Sequence, residues 1–585
     1  MVLTAVAVAA GALFAHDVPT IWFVVGAGAA LVGVAARRPS TLIVGLAVVS
    51  SVLAAHAWSG LRAPPAAVVK QQWVTLLTDP APFPGGSIGA DVRMGHRHVS
   101  AFARGPAASA MSSHLAGEHL LVDGVLRPLV GVQRARLAPR HIATRLSVSE
   151  VTGHRSANLA GTIANSYRRV VARGALALPE RLRPLFGGMV LGDDRGQAVE
   201  LQDAFRAAGL THLMVVSGQN VAFALLVASP LIRRGGLRWR FAATLLVLAG
   251  FGVLTRWEPS VLRAEAMAAV AAAGALVGRP VPALRLLALA VTGCILVDPL
   301  LVHSVGFQLS VAAVTGLVVL TPILQRRRVP MLLAASIAAQ LGAAVVLVPT
   351  FGTVPLVSLP ANVLAVPLAG PLMMWGLTAG PVAGLATPLA AVIHLPTHAV
   401  LAWEAGVATW SSRIPLAPVG FVGTAGIGVA AAAWLAGQRL RAAWRAAANA
   451  AALAMTALVV VFALHGPPAV NGVDVDAGAR LWVLRGRSVL LVGGRTSPRV
   501  LDALRARHVH RLDVLVVTRP GTSAADAAWP IVQAFRPRVT LAPEHHQLAG
   551  ARTARIGATA SMGLLVVRVV DAGPPLRIAV SDGGG

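Results

Sequence analysis

Charge is scarce in this chain. Only 12% of its 585 residues are Asp, Glu, Lys or Arg, against ~25% in an ordinary soluble domain. Most of the chain therefore belongs in lipid. Lysine is nearly missing too: Lys70 stands alone among 50 basic residues, the rest being arginine. The net charge of +27 is thus an arginine excess. Part of it is compositional bias in a chain rich in Ala, Val, Gly and Pro, and part marks cytoplasmic loops. Charge alone leaves nucleic acid as one reading among others. The single cysteine, Cys294, lies in an apolar run, which excludes a disulfide framework and a thiolate metal site. No GxxxxGK[ST] loop is present, so any energy for transport comes from elsewhere. The first apolar run lacks a basic stretch before it, and a cleaved signal peptide is not expected.

What is present is hydrophobicity in repeated runs: 56% of residues are hydrophobic and the mean hydropathy is +0.71. Runs at 2–15, 20–36 and 41–58 predict N-terminal transmembrane helices over 1–60, each slightly short of the ~20 residues a spanning helix needs. Residues 61–155 change character. Alternating segments near 73–77, 98–102, 119–126 and 144–151 are separated by Pro, Gly and Asp turns, which predicts about five strands and an OB-like β-barrel. This stretch holds eleven basic and five acidic residues, and its aromatics are sparse: Trp73, Phe83 and Phe102.

Residues 157–178, with Tyr167, Arg168, Arg169 and Arg173, read as an amphipathic helix at the membrane interface. Within 156–465 apolar runs recur at 210–231, 241–255, 261–277, 283–297, 300–323, 331–348, 355–377, 385–403, 421–435 and 448–464. Arg233, Arg234, Arg238 and Arg240, then Arg326–Arg328, then Arg439, Arg441 and Arg445 mark cytoplasmic loops. That places the 61–155 region and the tail, 466–585, together on the extracytoplasmic side. The tail alternates β-like runs with a helical stretch and predicts a small α/β domain.

The segment 186–220 carries the most chemistry. A charged turn, Gly192-Asp193-Asp194-Arg195, precedes a helical stretch and then Thr211-His212. An apolar run follows, broken by Ser217-Gly218-Gln219-Asn220. In hydrocarbon an unwound backbone survives only where protein or water satisfies it, so this break predicts the wall of a polar passage. Asp193 and Asp194 serve equally well as helix caps. His212 also reads as a core or interface histidine.

Several ordered pieces together resemble the ComEC family, the competence DNA-internalisation channels of the bacterial inner membrane. They are Leu191-Gly192-Asp193, Phe205 to Leu213, Val216-Ser217-Gly218, Pro259 to Ala264, Asp298-Pro299-Leu300, Gly306 to Ser310, and Gln340 followed by Pro349…Phe351-Gly352…Pro355-Leu356…Pro360-Ala361-Asn362. The resemblance implies a polytopic α-helical bundle with an OB-like insert and a C-terminal metallo-β-lactamase-like domain. Where most relatives carry Leu-His after Ser-Gly, this chain has Gln219-Asn220. In the tail, Leu512 to Val517 looks like the strand before the family's metal loop, Ser-His-x-His-x-Asp-His. This chain continues Thr518-Arg519-Pro520-Gly521-Thr522-Ser523-Ala524. Arg519, Gly521, Ser523 and Ala524 stand at the ligand positions, and Asp526, His508, His510, His545 and His546 lack the spacing. The domain is therefore expected to be degenerate: no metal, no cofactor, no enzyme.

The resemblance implies a channel that passes single-stranded DNA inward. An outer-face DNA-receptor protein and a separate motor or ion gradient would be its partners. Asp193, His212, Ser217, Gly218, Asn220, Arg263, Asp298, Gln308, Gln340 and Asn362 are the expected passage residues. Arg263, inside an apolar run, is the sharpest of them, because intramembrane charges are costly and usually functional. Its plain alternative is a snorkelling arginine or a partner for Glu265. A transporter of a small anionic or lipid-like solute, using the same broken helices, is the alternative function.

Overall fold

The computed structural model describes the chain apart from residues 15–17, 20, 84–86, 415, 417, 438–449, 451–453, 456–458, 460–469, 477, 485, 494–498, 508, 510, 563–564 and 583–585. It forms two compact units. The first takes Met1–Gln197, His212–Val346 and Asn362–Glu404; the second takes Ala198–Thr211, Leu347–Ala361 and Ala405–Gly585.

The first unit opens with helices α1 (Val2–Phe14), α2 (Ile21–Ala35) and α3 (Pro39–Gly60). Ser50 on α3 donates to the Val8 carbonyl on α1 at 2.9 Å, a polar contact of the kind that holds helices together in lipid. The β-region follows: β1 (Ala67–Leu76), β2 (Ala81–Phe83), β3 (Ser87–Met94), β4 (Arg97–Ala103), α4 (Gly105–Ser112), β5 (His119–Pro128), α5 (Gly131–Leu137) and β6 (Ile142–Arg155). The sheet order is β1-β5-β6-β4-β3-β2, and a further β1–β3 pairing closes five of the strands on themselves. β4 and β6 run parallel; the other neighbours are antiparallel. Burial alternates residue by residue along β5, the period that sends successive side chains to opposite faces. Val74, Leu76, Val92, Val99, Leu120, Val122 and Leu146 form the core. Strand β3, not among the expected segments, alternates Ile88, Ala90, Val92 and Met94 with Gly89, Asp91 and Arg93, but lacks the β-branched and aromatic density that marks the other strands.

Helices continue with α6 (Leu159–Gly174), α7 (Arg183–Leu191), α8 (Val199–Ala207), α9 (Gly218–Ile232), α10 (Leu237–Leu254), α11 (Pro259–Leu276), α12 (Ala283–Val297), α13 (Val305–Arg326), α14 (Met331–Phe351), α15 (Ser358–Leu385), α16 (Ala390–Ile393), α17 (Leu395–Ser411) and α18 (Phe421–Gly437). Among the described residues six segments are long and apolar enough to cross a membrane: Pro39–Gly60, Thr211–Ile232, Leu237–Leu254, Val305–Arg326, Met331–Phe351 and Ser358–Leu385. The protein is a multi-pass membrane protein. Two expected runs are broken. Residues 385–403 contain a 3-10 turn (Thr387–Leu389) and two helices, with Pro388 and Pro396 at the restarts. Residues 300–323 open with a 3-10 turn (Pro299–His303) before α13. Proline lacks the N–H that would continue the preceding helix. The run 448–464 lies almost wholly outside the described residues.

The second unit holds the C-terminal sheets. β7 (Val470–Asp476), β8 (Ala479–Leu484), β9 (Arg487–Val492), β10 (Val514–Val517), β11 (Val539–Ala542) and β12 (Arg552–Thr553) form one sheet in the order β12-β11-β10-β9-β8-β7. β9 to β12 pair in parallel, with helices Arg499–Ala506 and Thr522–Phe535 between strands. β13 (Thr559–Met562), β14 (Leu565–Asp571) and β15 (Arg577–Asp582) make a separate antiparallel sheet. Helix α8 belongs to this unit. The Asp203 carboxylate receives both Nη atoms of Arg505, and Glu200 accepts from Trp529 Nε1 at 3.0 Å.

Candidate functional site

The chain from α7 to α9 is irregular, and its polar groups are satisfied locally. Helix α7 ends at Gly192, whose φ of 71° is left-handed. In the turn after it, Arg195 grips the Asp193 carboxylate through Nε (2.7 Å) and Nη2 (2.6 Å). Helix α8 starts only at Val199 with Ala198 as its N-cap, so neither Asp193 nor Asp194 caps it. Residues 214–217 are non-helical. Gln197 donates to the Met214 carbonyl at 3.3 Å, and Ser260 donates to the Val216 carbonyl at 3.2 Å. Asn220 donates to Met189 O at 3.2 Å. Protein side chains thus supply what water would give an unwound backbone.

Ser217 is the N-cap residue of α9, with its hydroxyl 3.3 Å from Asn220 Oδ1. Arg263, one turn into α11, arrives beside this interruption. A Cβ at Gly218 would stand 2.6 Å from Arg263 Nη2, so only glycine lets the guanidinium lie there undisturbed. Arg263 is 4% exposed. Its Nε donates to Ser310 Oγ on α13 at 2.9 Å, and its Nη1 lies 3.0 Å from Met267 Sδ. Among the described residues no carboxylate is within ion-pair distance of it. Glu265 is equally buried, and neither of its oxygens has a hydrogen-bond partner among the described residues; it does not pair with Arg263. Ser310 and Met267 were not singled out from sequence. Ser310 stands inside the Gly306–Ser310 motif, and Met267 is one turn beyond Arg263, where i and i+4 side chains meet.

The remaining expected residues are scattered. His212 sits exposed on the 3-10 turn Thr211–Leu213. Asp298 caps the turn Pro299–His303 through Leu300 N at 3.0 Å, and its Oδ1 is 2.9 Å from His141 Nε2 on the β-region. Gln308 donates to Val302 O at 2.7 Å. Gln340 is half-buried on α14. Asn362 lies near the start of α15, its Oδ1 enclosed without a hydrogen-bond partner among the described residues. The geometry brings together Ser217, Gly218 and Arg263, with Asn220 adjoining.

A second arginine, on the helix expected at the membrane interface, is buried within the protein. Arg168 on α6 is 3% exposed. Its Nη1 donates to Leu191 O (2.7 Å) and Leu254 O (2.9 Å), the last residues of α7 and α10. A cation at two helix C-termini meets the negative ends of both dipoles. Its Nη2 donates to Asp79 Oδ2 at 2.7 Å. Arg256 reaches Asp79 Oδ1 (3.0 Å) and Asn165 Oδ1 (2.7 Å) from a turn where Arg256 and Trp257 both have left-handed φ, 61° and 55°. Such strain is held by its surroundings, here those contacts. Asn165 continues the network to Glu118, which also takes Arg169 and His114. Burial pushes the Asp79 carboxyl up, but Arg168, Arg256 and the Ala116 amide outweigh it and hold it below the usual range. Burial, then the neighbouring Asp193, raises Asp194.

In the second unit, β10 runs into Thr518–Gly521. Arg519 is exposed, Gly521 has φ 100°, and Ala524 is 2% exposed. Among the described residues no group of three or more His, Cys, Asp or Glu is placed to hold a metal ion; His508 and His510 lie outside them.

Comparison with known proteins agrees with the central segment. Residues 189–446 match the model of the family described as Competence protein. ComE operon protein 3 of Bacillus subtilis (strain 168) is 30% identical over 207 residues, 35% of this chain and 27% of that protein. The uncharacterized protein YcaI of Escherichia coli (strain K12) is 31% identical over 199 residues, 31% of this chain and 26% of that protein. The matched stretch is about a quarter of the length of these relatives. No solved structure matches the chain. Residues 189–446, which hold the interrupted helix and Arg263, are thus the part of the chain that is similar to the competence protein family.

Proposed function

We propose that the protein is a membrane channel importing single-stranded DNA during natural transformation. The observation that carries the proposal is Arg263: a buried guanidinium with no carboxylate partner among the described residues, set against Gly218 where a membrane helix is interrupted. A charge within a membrane costs up to about 2.5–3.5 kcal/mol on insertion scales, most at the helix centre and less one turn from a helix end. Holding it without a counter-ion suits a group whose counter-ion is the cargo, here the phosphate backbone. Ser217 and Asn220, beside the N-terminus of α9, add hydroxyl and amide groups and the positive end of a helix dipole. Asp193, His212, Asp298, Gln308, Gln340 and Asn362 complete the proposed lining.

The chain divides in this reading into N-terminal helices (1–60), an OB-like domain (61–155), the channel domain (156–465) and a degenerate metallo-β-lactamase-like domain (466–585). The closed five-strand cycle with one parallel pair supports the second, and the mixed sheet with interleaved helices supports the fourth. Both soluble domains lie outside the cell, where a DNA-receptor protein delivers the strand, and a separate motor or ion gradient drives it. The channel performs no catalysis. The test is deletion of the gene with DNA uptake scored separately from surface DNA binding. Loss of uptake with binding retained is expected; undiminished uptake would overturn the proposal.

A further inference from the structure

The β-region has three aromatic residues, and the fold brings two of them to one place. Phe83 on β2 and Phe102 on β4 meet edge to face, with ring centroids 5.1 Å apart at 75°. Gly89 on β3 lies directly opposite Phe102 in the strand register. A Cβ there would stand 2.7 Å from the Phe83 ring and 2.9 Å from the Phe102 ring. The glycine is what admits both rings. On the neighbouring strand β6, the Arg145 guanidinium lies 4.2 Å from the Phe102 centroid, within cation–π range. Its Nε is enclosed and has no hydrogen-bond partner among the described residues.

These side chains border an open cavity of about 420 Å³, lined also by Ser87, Arg104 and Ser147. That volume falls in the ~300–1,000 Å³ range of small-ligand pockets. No acidic residue lines it, and neither arginine has a carboxylate partner among the described residues. Rings that merely covered a glycine would need neither a cavity nor two cations. A flat apolar face beside unneutralised guanidinium groups suits a ligand that is both aromatic and anionic.

The geometry points to a stacking site for a nucleobase of single-stranded DNA: Phe83 and Phe102 take the base, and Arg145 and Arg104 take the adjoining phosphates. Aromatic platforms in positively charged grooves bind single strands with little sequence preference, because every base has a π-face. The site rests on the DNA reading above and deepens it: the strand is held on the β-region as well as at Arg263.

The test uses the full chain in detergent and a short fluorescein-labelled oligothymidylate at fixed salt. Phe83→Ala and the volume-keeping Phe102→Leu should each weaken binding about tenfold, while Phe102→Tyr should bind as wild type does. An oligomer carrying 5-iododeoxyuridine should photocrosslink to Phe83 or Phe102 of the unaltered protein. Wild-type affinity in Phe83→Ala, or no crosslink at either ring, would overturn the site. Thymidine monophosphate competing as strongly as the oligomer would overturn a strand as the ligand. Failure of the channel reading is distinguishable: uptake would then survive gene deletion while the oligomer still bound. Failure of the pocket alone would leave the Arg263→Ala uptake defect in place.

Discussion

Arg168 and Arg263 are both buried arginines in the same unit, and they are held in opposite ways. Arg168 is neutralised: its Nη atoms reach two helix-terminal carbonyls and the Asp79 carboxylate, which Arg256 shares, and Asp193 lies 3.5 Å away. Arg263 has a serine hydroxyl and a thioether, and no carboxylate partner among the described residues. Burial alone therefore does not identify a functional charge; the state of its partners does. Arg168 ties the β-region to the ends of α7 and α10 and is read as structural. Arg263 keeps binding capacity in reserve, and we assign it to the passage.

Substitutions can break this contrast. The largest effect is expected at Asp79→Asn, which removes the carboxylate shared by buried Arg168 and half-buried Arg256 and leaves Arg168 only Asp193, at 3.5 Å. Removing one partner of a buried ion pair costs about 3–5 kcal/mol, so the protein should accumulate poorly and melt earlier in detergent. The pH dependence has a fixed sign. The native Asp79 carboxyl lies below its ordinary value, so its contribution is present above the unfolded-state pKa of ~3.9. It is lost only as the pH falls through the lower native value, so this contribution should be intact at pH 5 and fail below ~4. Normal accumulation and melting of Asp79→Asn would remove the distinction between the two arginines.

A smaller and more selective effect is expected at Gly218→Ala. Alanine is the better helix former by about 1 kcal/mol, so α9 should not suffer. The new Cβ would displace the Arg263 guanidinium from a 2.6 Å approach. Protein level should hold while DNA uptake falls several-fold. Uptake at the wild-type rate would show that the guanidinium's position does not matter.

Much of this architecture was legible in the sequence because its signals are local. Long apolar runs marked spanning helices, alternation marked β1, β4, β5 and β6, and Ser217 to Asn220 marked where α9 begins. The runs 283–297 and 300–323 already part at Asp298-Pro299, whereas the breaks near Pro388 and Pro396 are hidden by the hydrophobicity around them. The Arg168 network was not legible. Its partner Asp79 lies 89 residues away, and Arg256 reaches Asp79 across 177. An arginine on an amphipathic helix looks the same whether it faces water or a buried carboxylate. Ser310, 47 residues from Arg263, is hidden likewise, although it stands inside the Gly306–Ser310 motif.

The most direct test of the central claim is DNA uptake per molecule for Arg263→Ala, measured at membrane protein levels matched to wild type, with Arg263→Lys and Arg263→Gln alongside. A phosphate-binding arginine predicts near-complete loss in Ala and Gln. Lysine should rescue in part, as a point charge without the bidentate fork. Wild-type uptake in Arg263→Ala would show that this buried arginine carries no part of the passage and would contradict the account.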